Sequence, residues 1–130
     1  MIKFVDFKLA LGEKIIENDF IEDEAGWERG QIKLKTGINK RFTSSQSSEY
    51  LAYEVIKKIK SNEWNKEVDL VISVTNTPTT IFPNFSNYAH SFLNLKEDCK
   101  CLGLNSGCTG FVEALELINY SSTLSDGYSF

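Results

Sequence analysis

The sequence lacks the long apolar runs and the basic excess that mark membrane and nucleic-acid-binding proteins. No run approaches the roughly 20 apolar residues that a membrane-spanning helix needs. The 130 residues carry a net charge of −4 and form no basic stripe, which argues against nucleic acid as a main partner. The first residues show no basic segment followed by a long apolar region, so we expect no signal peptide. We therefore expect neither a membrane nor a nucleic acid among the partners.

Histidine and cysteine are scarce. Three cysteines are an odd number, so at least one is unpaired within the chain, which fits a reducing, cytoplasmic setting. Cys99, Cys101, Cys108 and His90 do not form two Cys-x2–4-Cys pairs, so we expect no metal. A redox or metal-responsive set made of the three cysteines stays an alternative. His90, the only histidine, lies off the apolar stripe of its predicted helix and is interpreted as a surface residue.

The composition of the chain and the pattern of its apolar residues predict one globular α/β domain over residues 1–130. The alternation of apolar and polar residues from Val5 to Leu9 predicts a half-buried strand. The acidic residues 13–28 predict a solvated face or a short helix. Residues 36–41 predict a turn or loop, because Gly37 permits a positive φ.

Strands and helices then alternate along the chain, which predicts βαβ units and a mainly parallel sheet. The run 69–75 is rich in β-branched residues, as strands buried on both faces are. A threonine-rich loop follows, and a further apolar run lies near residues 101–104. Two amphipathic helices are predicted from residues at helical spacing, the first on Leu51, Ala52, Val55, Ile56 and Ile59 and the second on Phe85, Tyr88, Ala89, Phe92 and Leu93.

Residues 100–111 form the stretch with the clearest chemistry. An extended apolar run leads into a small-residue turn with Gly107 and Gly110, and a helix is predicted from about Thr109 to Tyr120. We expect Phe111 and the apolar residues at helical spacing after it, Ala114, Leu115 and Ile118, to face the core. Cys108 lies where the strand passes into the helix, and N–H groups at a helix N-terminus stabilise a thiolate. Cys108 is thus a candidate nucleophile at the ligand-binding edge of the sheet, and a buried structural cysteine is the alternative.

In their order and spacing these residues resemble beta-ketoacyl-acyl-carrier-protein synthase III, a member of the thiolase-like superfamily, in its N-terminal portion. The resemblance covers most of the chain and is strongest from about Asp69 to Ile118. It is carried by Lys35-Thr36-Gly37-Ile38-x-x-Arg41, by Asp69-Leu70-Val71-Ile72 with the loop ending at Phe82-Pro83, and by Asn105-Ser106-Gly107-Cys108-Thr109-Gly110-Phe111. It implies a thiolase-like α/β half with a mainly parallel sheet and flanking helices, present incompletely.

The resemblance also implies an acyltransferase. Cys108 would take the acyl group from an acyl-coenzyme A and then condense it with a malonyl unit on acyl carrier protein. Trp27, Lys35 and Thr36 would belong to the coenzyme A-binding region, although the spacing from Trp27 to Thr36 is longer than usual. Phe82 would reach across a homodimer interface toward the partner's acyl pocket. Coenzyme A enters as a substrate, so no cofactor is expected.

The departures from the family define a second expectation. Phe7-Lys8-Leu9-Ala10 replaces a glycine-containing turn after the first strand. The family's catalytic histidine and asparagine come from a second α/β half, to which His90 does not correspond. We therefore expect a piece of a longer enzyme or one part of a split protein, inactive in condensation without the C-terminal half. A stand-alone α/β binding or interaction module with a structural cysteine is the alternative.

Overall fold

The computed structural model describes residues 2–59 and 67–125, with side chains to residue 121. Contacts divide the chain into two compact units. One is Ala10–Ser47, and the other combines Met1–Leu9 with Ser48–Phe130. The single domain over residues 1–130 stays a prediction.

The smaller unit contains an antiparallel strand pair and two short helices. Strand β1 (Lys14–Glu17) leads into helix α1 (Asn18–Ala25), and helix α2 (Gln31–Thr36) leads into strand β2 (Lys40–Thr43). The strands pair from Lys14 opposite Thr43 to Glu17 opposite Lys40. The short helix predicted within residues 13–28 is confirmed as α1.

The strand pair was not predicted, and residues 40 and 41 lie in β2 rather than in a loop. Gly37 does end α2 with a positive φ of 72°, as the turn prediction requires. The two strands are four residues long and lie more than 20 residues apart in sequence. Neither segment alternates apolar and polar residues over enough positions to be recognised as a strand from the sequence. Each becomes a strand because it pairs with the other in the folded chain.

The larger unit is a parallel βαβ arrangement, as predicted. Strands β3 (Leu70–Val74) and β4 (Lys100–Leu104) pair in parallel, and helix α4 (Phe85–Leu93) connects them. Helix α3 (Ser48–Ile59) precedes β3 and helix α5 (Gly110–Ser125) follows β4. The core is formed by the buried residues Ile56, Ala89, Leu93, Leu95 and Cys99, with Val68, Val71, Phe85 and Phe92 packed against it.

The amphipathic helices α3 and α4 are confirmed, and the residues of their predicted apolar faces are buried or half-buried except Tyr88 of α4, which is 51% exposed. Ile56 of α3 and Ala89 and Leu93 of α4 are buried, while Lys57 and Lys58 face solvent. Asn84 caps α4, since its side chain accepts from the backbone N–H of Ser86 in a capping box. The apolar spacing and the cap of these helices involve residues within one or two helical turns of each other, so they can be recognised from the local sequence.

Two further sequence expectations about packing are wrong. Residues 5–9 form no strand, and Val5 and Phe7 are 88% and 81% exposed, because no strand in the described ranges pairs with them. In α5, Ala114 is buried as expected, but Phe111 is 61% exposed and Ile118 is also exposed. A periodic apolar pattern shows that a face can be buried, and the presence of a covering element decides whether it is.

Within residues 2–59 and 67–125, no helix is both long enough and apolar enough to cross a bilayer.

Candidate active site around Cys108

The loops that follow the two parallel strands meet at the carboxyl edge of the sheet. The backbone N–H of Thr75, just after β3, donates to the Leu104 carbonyl at 3.1 Å, which continues the strand pairing. One step further, the Gly107 N–H donates to the Asn76 side-chain oxygen at 3.1 Å. The turn that carries Cys108 is therefore tied to the loop after β3, at the edge where open α/β sheets bind ligands.

Cys108 lies in a single 3₁₀ turn, Gly107–Thr109, immediately before α5. Gly107 has a φ of +59°, a backbone conformation that favours glycine. Gly110 is buried where the helix begins, and a Cβ there would lie 2.6 Å from Val74 Cγ1. Glycine at 110 thus permits α5 to start close against β3. The predicted helix from about Thr109 is confirmed, with its α-helical part starting one residue later.

The three cysteines differ in accessibility. Cys108 is exposed, Cys101 is half-buried and Cys99 is buried. Burial raises the pKa of the Cys99 thiol, so its nucleophilic form is disfavoured. Cys101 Sγ lies 3.6 Å from the Ser86 carbonyl oxygen. Of the three, Cys108 is the most accessible to an external electrophile.

A carboxylate lies beside the Cys108 turn. Glu113 Oε1 is 2.7 Å from the Thr109 hydroxyl, which also donates to the Ser106 carbonyl at 2.8 Å. The side chains of Ser106 and Thr109 hold the Glu113 pKa below its ordinary value. Glu113 is thus ionised at neutral pH, next to the turn. Neither Glu113 nor Asn76 was singled out in the sequence, because nothing local shows that a helix residue or a distant loop contacts this turn.

Two cavities flank the strands of the larger unit. One, of about 280 Å³, lies at the strand ends and is lined among others by Thr75, Thr80, Ile81, Asn84 and Asn105. The other, of about 490 Å³, is mainly apolar and lies among α3, β3 and α4. Phe82 directly follows Ile81, which lines the smaller cavity, and it is 84% exposed. The residue expected to reach a partner subunit is therefore accessible at the surface of this chain.

The proposed coenzyme A-binding residues lie in the smaller unit. Trp27 is in the turn after α1 and is 54% exposed. Lys35 and Thr36 are the last residues of α2 and are exposed. The Thr36 hydroxyl donates to the Ile32 carbonyl at 2.6 Å and accepts from the Ile38 N–H at 3.1 Å. The Thr36 hydroxyl therefore stabilises the end of its own helix.

A buried glutamate organises these two helices. Glu22 of α1 is fully buried, and its two carboxylate oxygens accept from the backbone N–H groups of Gly30 and Ile32 at 2.8 and 2.7 Å. These donors are at the start of α2, where N–H groups have no partner within the helix. Arg29, between the helices, pairs with Asp23 at 2.7 Å. Glu22 thus fixes the start of α2, and the acidic stretch is more than a solvated face.

The described residues contain no group of three or more His, Cys, Asp or Glu side chains arranged to hold a metal ion. His90 is half-buried rather than on the open surface, because its Nε2 lies 2.9 Å from the Lys96 carbonyl oxygen. That carbonyl follows the end of α4, where Asn94 adopts a left-handed conformation and reverses the chain. His90 therefore contacts the chain just after the C-terminus of α4. The spacing of apolar residues along the helix did not indicate this contact.

The arrangement of parallel strands, flanking helices and a cysteine turn is that of a thiolase-like fold, present in part. A solved 3-oxoacyl-(acyl-carrier-protein) synthase III matches it with a TM-score of 0.69 at 28% identity, over 83% of this chain and 34% of that one. The HMG synthase of the curacin biosynthetic pathway, solved in complex with an acetyl donor-ACP, matches with a TM-score of 0.73 over 93% of this chain and 31% of its own. At 16% identity, that second likeness concerns the fold alone.

The sequence comparison agrees with the structural one. The beta-ketoacyl-[acyl-carrier-protein] synthase III of Clostridium perfringens is 31% identical over 122 residues, which are 88% of this chain and 36% of that protein. No family model matches the sequence. The chain spans about a third of the length of the curated relatives it matches, and it corresponds to the N-terminal portion of a protein of this kind. The resemblance found in the sequence is thereby confirmed.

Proposed function

We propose that this chain is the N-terminal portion of a condensing enzyme of the 3-oxoacyl-ACP synthase III type, with Cys108 as its nucleophile. The observation that carries the proposal is the position of Cys108, exposed on a short turn between β4 and the 16-residue helix α5. The N-terminus of a helix is a favourable place for a negatively charged group. An accessible thiol at such a position suits nucleophilic attack on a thioester.

The proposed reaction has two steps. In the first, the Cys108 thiolate attacks the thioester carbonyl of an acyl-coenzyme A, the carbon–sulfur bond to coenzyme A breaks, and coenzyme A leaves as the thiol after taking up a proton. In the second, malonyl-acyl carrier protein loses CO₂ and its carbanion attacks the acyl-cysteine. A carbon–carbon bond forms, and the Cys108 thiolate is released. Coenzyme A is thus a substrate, and the chemistry calls for no cofactor.

Trp27, Lys35 and Thr36 are proposed as coenzyme A contacts. Exposure of the Trp27 ring and of the Lys35 ammonium supports this role, because an aromatic face can stack on a base and a cation can pair with phosphate. The Thr36 hydroxyl is already used within its own helix, so its part would be to hold the end of α2 rather than to bind directly.

The proposed partners are a C-terminal half, in the same or a second chain, and a second copy of the enzyme. Exposed apolar side chains on α5 support the first, since Phe111 and Val112 are 61% and 64% exposed. Exposure of Phe82 supports the homodimer, in which its ring would contact the partner's acyl pocket. Acyl carrier protein would deliver the malonyl unit. A cytoplasmic location fits this chemistry and stays a prediction.

The same exposed apolar side chains favour one rival, a stand-alone interaction module in which Cys108 is only structural. The two functions differ in what the thiol does. An acyl-transfer site predicts stoichiometric acylation of Cys108 by a coenzyme A thioester. An interaction module predicts an apolar binding surface and a thiol that no acyl thioester modifies.

The test is intact-mass measurement of the folded chain after exposure to acetyl-, butyryl- and octanoyl-coenzyme A. Cys108→Ala is the negative control. Cys101→Ala is the matched control, because it also lacks one thiol but keeps Cys108. We expect the mass to rise by one acyl group in the parent chain and in Cys101→Ala, and to stay unchanged in Cys108→Ala. Acylation that persists in Cys108→Ala would contradict the assignment of the nucleophile.

A second arm adds a separately produced C-terminal half of a related synthase. The chain alone is expected to form no 3-oxoacyl product from acetyl-coenzyme A and malonyl-acyl carrier protein, because the groups that stabilise the developing enolate lie in that half. Product formed by the chain alone would overturn this expectation. Failure to acylate Cys108 even with the second half present would overturn the proposed function and favour the interaction module.

A further inference from the structure

The loop after β3 ends in two neighbouring apolar residues that face solvent. Ile81 is 90% exposed and Phe82 is 84% exposed. The hydroxyl of Thr80 donates to the Pro83 carbonyl at 3.0 Å, so a hydrogen bond closes the turn that carries them. Neighbouring exposed apolar side chains favour burial against a partner. The loop therefore presents an apolar tip, residues 81 and 82, on a closed turn.

Helix α3 contacts the loop just before this tip. Glu49, in the first turn of α3, accepts from the Thr79 backbone N–H at 2.8 Å. The Ser48 hydroxyl lies 3.3 Å from the Thr77 hydroxyl and 3.5 Å from the Thr77 carbonyl oxygen. Glu49 and Thr79 are 30 positions apart, so only the fold brings this side chain to the loop. A carboxylate accepts a stronger hydrogen bond from a backbone N–H than a neutral group does.

The contact with α3 reduces the number of conformations open to the tip. Thr79 is three residues before Phe82, and the turn in between is closed by the Thr80 hydroxyl. A side chain that is already held in its bound geometry loses less conformational entropy when it binds. The loop is therefore prepared for binding before a partner arrives.

We propose that Glu49 is a positioning residue, which holds the loop so that Phe82 closes the acyl pocket of a second copy in a fixed position. Glu49 acts through the loop and not on the thiol. Loss of the contact lets the Phe82 ring yield to a longer acyl group, while the reactivity of Cys108 stays the same. This inference rests on the proposed function, because that function supplies the pocket that Phe82 enters.

Amide hydrogen exchange at Thr79, followed by NMR in the folded chain, tests whether the contact holds the loop. Glu49→Ala removes the acceptor. Glu49→Asp keeps a carboxylate at the start of α3 but is one methylene shorter, so it does not reach the Thr79 N–H. Glu49→Gln keeps the length and one carbonyl acceptor. The matched control is Glu54→Ala in the same helix, where Glu54 pairs with Lys57.

We expect Glu49→Ala and Glu49→Asp to raise exchange at Thr79 about fivefold, as the loss of one hydrogen bond does. Glu49→Gln should preserve most of the protection, and Glu54→Ala should leave it unchanged. Equal protection in the parent and in Glu49→Ala would overturn the positioning role. A larger loss in Glu49→Gln than in Glu49→Asp would overturn it as well, because the charge at the N-terminus of α3 would then be the cause.

The rates at which octanoyl- and acetyl-coenzyme A acylate Cys108 test whether the loop acts on the acyl group. The ratio of the octanoyl to the acetyl rate should rise up to about fivefold in Glu49→Ala, the equivalent of one hydrogen bond. The rate of Cys108 alkylation by iodoacetamide should stay at the parent value, because the thiol itself is unchanged. An unchanged acylation ratio, or an alkylation rate that shifts by the same factor, would overturn the role.

Phe82→Ala separates an effect through the loop from any other effect. This variant lacks the ring that the contact positions, so Glu49→Ala should not raise the acylation ratio further in that background. An equal rise in both backgrounds would show that Glu49 does not act through Phe82, which would overturn the proposal.

The exchange test uses no acyl thioester, so the two proposals fail separately. A chain that is never acylated but loses Thr79 protection in Glu49→Ala would contradict the proposed function and the acyl selection that rests on it, while the hold on the loop stands. Normal acylation with unchanged protection would contradict the positioning role alone.

Discussion

The backbone N–H of Gly107 donates to the Asn76 side-chain oxygen at 3.1 Å, and this bond joins the loops that follow the two parallel strands. The two residues are 31 positions apart, on opposite sides of the α4 crossover. The bond fixes the turn that carries Cys108 relative to the loop that carries Phe82. The carboxyl edge of the sheet is therefore a connected structure rather than two separate loops.

Removing this contact should loosen the cysteine turn without unfolding the chain. In Asn76→Ala the Gly107 N–H loses its partner, and a typical hydrogen bond contributes about 1 kcal/mol, which corresponds to roughly fivefold faster exchange. Amide hydrogen exchange at Gly107, followed by NMR, measures the effect. Asn105→Ala, in the adjacent loop, is the control. Equal protection of Gly107 in the parent and in Asn76→Ala would show that the contact does not hold the turn.

Gly110 is expected to tolerate no side chain. A Cβ at this position would lie 2.6 Å from Val74 Cγ1, so Gly110→Ala should lower the free energy of unfolding by about 1–3 kcal/mol, as overpacking usually does. Urea denaturation measures the loss. Because Val74→Ala removes the opposing methyl groups, Gly110→Ala should cost much less in that background. An equal cost in both backgrounds would point to a cause other than this contact.

Glu22 should be the most sensitive glutamate of the smaller unit. Glu22→Gln replaces one acceptor oxygen by an N–H₂ group that faces a backbone donor, and leaving a buried donor without a partner costs about 1–3 kcal/mol. Glu22→Ala should cost more, since both donors lose their acceptor. Denaturant unfolding, compared with that of the exposed control Glu24→Gln, measures the difference. Equal midpoints for Glu22→Gln and Glu24→Gln would contradict the role of the buried carboxylate.

Glu13 should make the smaller unit sensitive to acid. The backbone N–H of Ser45, at 2.8 Å, and the hydroxyls of Ser44 and Ser45 lower the pKa of Glu13 from 4.5 to about 2. The pKa of Glu13 is lower in the folded than in the unfolded chain. The stabilisation of the folded state by this carboxylate is therefore complete above pH 4.5 and is lost as the pH falls toward 2.

The stability difference between the parent and Glu13→Gln should therefore narrow as pH falls through this range. Urea unfolding at several pH values measures it, with the exposed Glu17→Gln as the control. A difference that stays constant from pH 6 to pH 2.5 would show that the Glu13 carboxylate is not held in this way.

Local patterns in the sequence determined the central part of this fold. Helices α3 and α4 and strands β3 and β4 each show their own apolar spacing, and the glycines around Cys108 indicate the turn before α5. These features depend on residues within one or two turns of each other, so no partner has to be known. The candidate nucleophile followed from the stretch around Cys108, and the family resemblance followed from the order and spacing of that stretch with those at residues 35–41 and 69–83.

Only the tertiary structure decided what surrounds the cysteine and what covers each apolar face. Asn76 and Glu113 contact its turn from another loop and from one helical turn further on, and neither contact has a local signature. The strand expected at residues 5–9 does not form in this chain, and Phe111 is exposed, because an apolar pattern is buried only where another element lies against it. Sequence thus determined which segments can form elements, and long-range contacts determined which partners those elements find.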